Sequence, residues 1–269
     1  MSPTGKAILI VESLVKEYPN KRVLDGVGFS ACNGEVLVLM GGSGAGKSTI
    51  LRCLIGATPV TSGRIWMDGI DITAIEDERR FDEVRRKFGV AFQSGALFNS
   101  MTVGENVALP IRYHTRLDED TIRIMVKIKL EQVGLRDAED LLPSQISGGM
   151  QKRAAFARAV ALDPKIVFFD EPSAGLDPIT IAVIDELILD FSKKMGITCV
   201  VITHELTSAF RIADRIIMLH RGKIVREGTP NELKNSEDPL VRQFISGSPD
   251  GPISRTISSK DYLMDILGG

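Results

Sequence analysis

One stretch constrains this chain more than any other. Gly41, Gly42, Ser43, Gly44, Ala45, Gly46, Lys47, Ser48 and Thr49 match GxxxxGK[ST], between an apolar run at 36–40 and a helical stretch at about 47–55. Glycines let a strand turn tightly into a helix, so that backbone N–H groups and the positive end of the helix converge on one point. Lys47 adds a full charge there, and Ser48 can offer its hydroxyl to Mg²⁺. A phosphate cradle of this kind demands a strand–turn–helix unit, and folds lacking one are excluded.

The apolar runs extend the argument. The longest, 7–11 and 36–40, hold five residues each and do not alternate, the mark of strands covered on both faces. A parallel sheet flanked by helices, an α/β fold, is expected. Residues 7–17 and 22–30 read as strands joined at Pro19-Asn20, and 64–67 and 70–72 as a hairpin around Asp68-Gly69. Further strands are expected at 88–92, 166–169 and 198–203, with a closing pair in 214–228. Helical character fills about 94–162, clearest at 118–133 and 150–162, and returns at about 180–195, 230–235 and 239–245.

Composition narrows the class. With 33 Lys and Arg against 35 Asp and Glu the net charge is -2, which argues against a nucleic-acid partner held by bulk positive charge. Three distant cysteines (Cys32, Cys53, Cys199) fit neither a disulfide framework nor a zinc site, and point to a reducing compartment. The mean hydropathy is +0.07, yet no run approaches the length of a membrane span, and the first residues do not read as a signal peptide.

Two further constellations carry chemistry. Four apolar residues at 166–169 end in Asp170 and Glu171. Beside a phosphate cradle, Asp170 can complete a Mg²⁺ shell with Ser48, and Glu171 can hold a water in line with a γ-phosphate. Ser147, Gly148 and Gly149 open a helix and form a second anion-type site. One nucleotide in a monomer has little use for two such sites; a dimer does.

With these motifs the sequence resembles the ATP-binding cassette (ABC) ATPases over about residues 7–245. The resemblance implies a P-loop NTPase (RecA-like) core with an antiparallel β subdomain and an α-helical subdomain inserted at about 94–162. It implies an ATP-hydrolysing homodimer in which Ser147, Gly148 and Gly149 of one subunit close over ATP held by the other. Tyr18 resembles the aromatic that stacks on adenine, and Gln93 the glutamine that joins the Mg²⁺ site to the helical subdomain. Residues 173–177, ending in Asp177, resemble the loop crossing the dimer interface, and His204 the histidine that contacts the γ-phosphate. Catalysis thus falls to Glu171, His204 and Gln93, and Mg²⁺ binding to Ser48, Gln93 and Asp170.

One departure narrows the match: the usual signature ends in Gln, and position 150 is Met. With residues 93–98 reading QSGALF, the chain is similar to the ATPase subunits of Mla-type (MCE-linked) phospholipid transporters. That implies a peripheral subunit on the cytoplasmic face of an inner membrane, serving outer-membrane lipid asymmetry. The implied partners are an integral-membrane permease, an MCE-domain lipid-binding protein and a small STAS-domain subunit. An ATPase of a generic nutrient importer shares every catalytic motif, and a soluble cassette remodelling protein stays open as a third reading. Residues 94–115, with Leu97, Phe98 and Met101, are expected to dock the permease. The tail 246–269 is expected to run extended, through Pro249, Gly251 and Pro252, and to bury its apolar end on a second subunit.

Overall fold

The computed structural model describes residues 6–253. Two sheets carry it. The first has the order β2-β1-β4-β5, built from β1 (Ala7–Tyr18), β2 (Lys21–Cys32), β4 (Ser62–Met67) and β5 (Ile70–Asp71), with antiparallel pairs such as Val11 with Phe29. The second has the order β10-β9-β3-β8-β7-β6, built from β3 (Val36–Gly41), β6 (Phe88–Ala91), β7 (Ile166–Asp170), β8 (Thr198–Thr203), β9 (Arg215–His220) and β10 (Lys223–Gly228). Within it β9, β3, β8, β7 and β6 run parallel and β10 closes the edge as a hairpin on β9.

The run at 36–40 is apolar because both faces of β3 are covered, whereas the run at 7–11, expected to be of the same kind, lies in β1 of the antiparallel sheet with Ala7 and Ile10 only half-buried. Val36, Val38 and Met40 of β3 pack into a core with Phe169 and Val201, while Leu37 and Leu39 pack oppositely with Phe168, Val200 and the inner face of the antiparallel sheet. The first core is closed by α3 (Val103–His114), α4 (Glu119–Gln132), α5 (Gly148–Ala159) and α6 (Pro178–Lys193). Phe156 of α5 meets Phe169 edge-on at 4.7 Å, which seats that helix against the strand that ends in Asp170. The second core takes α1 (Lys47–Leu54) and α2 (Glu78–Arg85). Behind β8 runs α7 (Leu206–Ile212), and after β10 come α8 (Pro230–Lys234) and α9 (Pro239–Ser246). Among the described residues no helix is long and apolar enough to cross a membrane.

Three readings of the sequence change. Residues 94–102 are loop and turn, helix beginning only at Val103, because Thr102 and Glu105 form a capping box there. Two helices, α2 and α7, stand where none was expected. The stretch 247–253 does not run out extended: Gln243 Oε1 accepts from Ile253 N at 2.6 Å, and its Nε2 donates to the carbonyls of Ser248 and Ile253 at 3.2 and 3.3 Å. A buried glutamine thus turns the chain back on α9, beside Gly42, Ser43 and Gly44. The expected apolar tail end, Tyr262 to Leu267, lies outside the described residues.

Candidate active site

Parallel strands gather ligands at their carboxyl ends, and every motif of this sheet falls there. Met40, before the glycine loop, pairs with Thr203, before His204; Asp170 pairs with Ile202; and Ala91, two residues before Gln93, pairs with Phe169.

The loop after β3 is shaped by its glycines. Gly41 lies so close to β9 that a Cβ would sit 2.3 Å from the Leu219 carbonyl, and one on Gly46 would strike Leu24 at 2.7 Å. Gly46 precedes α1 in the left-handed region, supplies no capping side chain, and no acid stands in the first turn. The positive end of α1 is left for an outside anion. Lys47 is buried and donates to the Gly41 and Gly42 carbonyls at 2.7 and 3.2 Å, folded back on its own loop. Burial lowers its pKa, opposed by the charges of Glu171 and Asp170. Ser43, Gly44 and Ser48 are exposed along the rim, Thr49 and Gly42 are half-buried, and Ala45 is buried.

Asp170 ends β7 and Glu171 follows it, both near enough to that lysine for their charges to act on it. Burial, then the neighbouring Glu171, holds the Asp170 carboxyl above the usual range, while Lys152 and Lys47 pull it down. The Asp170 carboxylate, the Ser48 hydroxyl and the Gln93 amide are hard oxygen donors, a kind that would suit Mg²⁺. Among the described residues no group of three or more His, Cys, Asp and Glu could hold a metal unaided. A divalent ion here would fill its remaining positions with waters and phosphate oxygens.

Glu171 is held with unusual firmness. Its φ is +47°, in the left-handed region that costs a residue with a side chain about 1–2 kcal/mol. Its N–H donates to the Ile202 carbonyl at 2.8 Å, and its carboxylate accepts from His204 N at 3.3 Å and lies 2.9 Å from His204 Nδ1. His204 itself stays 64% exposed, its ring free on the open side.

The second anion-type site faces outward. Ser147 caps α5, accepting from Met150 N at 3.3 Å. The two glycines behind it differ. A Cβ on Gly149 would lie 2.6 Å from Thr180 Cγ2, so its smallness serves packing on α6, whereas a Cβ on Gly148 would meet nothing within 4 Å. Nothing among the described residues requires glycine at 148. Asp177, expected at the interface, spends its carboxylate on its own helix, accepting from Ile179 N, Thr180 N and Thr180 Oγ1. Tyr18 ends β1 partly exposed, with Lys16 Nζ over its ring at 5.1 Å.

Several residues of the site carried no signal in the sequence. Lys152 of α5 donates from Nζ to the carbonyls of Gln93 and, at 3.3 Å, of Glu171. Arg158, further along α5, donates to the Gly95 and Ala96 carbonyls at 2.8 and 2.7 Å. Fully buried Asn106 accepts from Phe98 N and donates to the carbonyls of Phe98, Met101 and Thr102. The loop is thereby fixed with the Phe98 ring 52% exposed, on a groove of about 530 Å³ shared with Phe92, Leu109, Pro110 and Tyr113.

The ABC transporter family profile matches residues 24–174. The chain is 42% identical to the intermembrane phospholipid transport system ATP-binding protein MlaF of Escherichia coli (strain K12), over 93% of both chains. It is 43% identical to the probable ribonucleotide transport ATP-binding protein mkl of Mycobacterium leprae (strain TN), over 97% of this chain and 75% of that one. Its fold superposes on the dimeric ATP-binding cassette MJ0796 bound to ADP and Pi with a TM-score of 0.76 and 31% identity, over 82% of this chain and 98% of that one. The chain belongs to the ABC transporter family and is an ATP-binding cassette ATPase.

Proposed function

We propose that this chain is the ATP-hydrolysing subunit of a phospholipid transporter and acts as a homodimer. Lys47 leaves its own loop carbonyls to meet the β- and γ-phosphates, and Tyr18 stacks on adenine. Ser48, Gln93 and Asp170 hold Mg²⁺, which supplies charge neutralisation to the phosphates when bound. Glu171 orients the attacking water, and His204, linked to its carboxylate, contacts the γ-phosphate. Positioning and charge stabilisation are most of what phosphoryl transfer asks of a protein. The observation that carries the two-subunit reading is Gly148: a helix start kept bare, with nothing among the described residues within 4 Å of a Cβ there, suits a nucleotide on a second copy.

The exposed groove around Phe98 is the docking surface for an integral-membrane permease, placing the subunit peripherally on the cytoplasmic face of an inner membrane. The remaining partners are an MCE-domain lipid-binding protein and a small STAS-domain subunit. The two substrate classes have relatives of nearly the same identity, 42% and 43%, but this chain spans nearly the full length of MlaF and only three quarters of the ribonucleotide-transport relative, which favours phospholipid. Reconstitution with the permease in vesicles decides between them. ATP-dependent movement of labelled phospholipid is expected; movement of ribonucleotide in its place overturns the phospholipid reading.

A further inference from the structure

Helix α5 begins at Ser147, Gly148 and Gly149 and, a turn later, carries a lysine into the interior. Lys152 is only 8% exposed, and lysines are almost never buried so far unless something holds the charge. The partners here are unusual. Its ammonium donates to two backbone carbonyls, those of Gln93 and Glu171, which lie beyond the ends of the neighbouring strands β6 and β7, while the Asp170 and Glu171 carboxylates act on it through their charge alone. One is the residue that would reach the metal; the other carries the carboxylate that holds the water.

The second contact falls on a strained point of the site, as does the Arg158 contact to Ala96, at φ +48°. Glu171 sits at φ +47°, and such a residue persists only where its surroundings over-determine it. Its N–H is fixed by Ile202, and its carbonyl by Ala174 N at 3.2 Å and by Lys152. The first contact begins a ladder. Arg158 holds the Gly95 and Ala96 carbonyls from the same helix, so the segment from Gln93 to the groove rides on α5. A shift of α5, whose start faces outward, is therefore carried to both residues through one buried ammonium.

We propose that Lys152 is a positioning residue for hydrolysis, setting the backbone at Gln93 and Glu171 according to what engages the start of its own helix. A subunit whose Ser147 and Gly148 close on a partner's nucleotide thereby aligns its own hydrolytic residues, so that the two sites of the dimer fire together. This rests on the reading of Glu171 as the residue that orients water.

The test is Lys152→Met in the full chain, with turnover followed against Mg-ATP and nucleotide affinity measured separately by calorimetry. Misplacing the two residues should cut kcat by about ten- to a hundredfold. Nucleotide affinity should stay within about twofold, since the cradle at residues 41–49 is untouched. Lys152→Arg, whose guanidinium can span both carbonyls, should recover most of the rate. Parental kcat in Lys152→Met overturns the proposal, as does a loss of affinity and melting temperature in step with kcat that arginine does not restore. Glu171→Gln is measured alongside: parental turnover there overturns the reading of the site itself, whereas an inactive Glu171→Gln beside an active Lys152→Met overturns the role of Lys152 alone.

Discussion

His204 and Glu171 meet twice: the imidazole Nδ1 lies 2.9 Å from Glu171 Oε2, and the His204 backbone N–H donates to the same oxygen at 3.3 Å. The two residues follow neighbouring strands, β8 and β7, so the contact is dictated by the order of the parallel sheet. Among the described residues no hydrogen bond is made to the second carboxylate oxygen of Glu171 or to the far edge of the imidazole, the positions that the proposed mechanism gives to a water and a phosphate.

Removing that imidazole tests the pairing. His204→Ala should lower kcat by about ten- to a thousandfold, the range expected for a positioned polar group. Nucleotide binding to the isolated subunit should change little, because Lys47 and α1 remain. Steady-state turnover with calorimetric binding checks both halves of the statement.

The two glycines of the signature separate fold from function. Gly149→Ala puts a methyl group 2.6 Å from Thr180 Cγ2 and should lower stability by about 1–3 kcal/mol, read from a denaturant midpoint. Gly148→Ala meets nothing and should leave the midpoint at or above the parental value, as alanine favours helix. It should nonetheless abolish ATP-dependent dimerisation, because the methyl group occupies the space a partner's phosphate needs.

At the groove, Phe98→Asp should leave fold and nucleotide binding of the isolated subunit intact and abolish co-purification with the permease. Asn106→Ala acts behind it. Removing one buried side chain that serves four backbone groups of the loop should cost about 1–3 kcal/mol and weaken assembly in parallel. Thermal melts and pull-down on the same preparations check the pair.

How much of this was legible beforehand depended on where the information resides. The strand–turn–helix at 36–55 could be read directly, since its glycines are required by backbone geometry, and the unbroken run at 36–40 announced a parallel sheet, whereas the equally unbroken run at 7–11 belongs to the antiparallel one. Helix α2 was missed because Phe81 and Val84 are its only buried residues amid charged neighbours, too few to set a period. The loop 94–102 passed for helix because its shape is imposed from elsewhere, by Asn106 and by the guanidinium of Arg158. Residues 249–252 read as extended from their prolines, but a side-chain amide six to nine positions earlier bends them back. Lys152 and Arg158 look in the sequence like any cations of an alanine-rich helix; only the placement of α5 over the strand ends turns them inward.

The central claim is that two chains share each nucleotide. Glu171→Gln keeps the cradle and removes the carboxylate, so it should bind Mg-ATP, lose hydrolysis by about a hundredfold or more, and accumulate in the closed form. Light scattering on the size-exclusion peak measures this directly. The account predicts twice the 29.4 kDa chain mass in Mg-ATP, reverting to the nucleotide-free state when Lys47→Ala is added. A single-chain mass in saturating Mg-ATP, both for the isolated variant and within the assembled transporter, would contradict it.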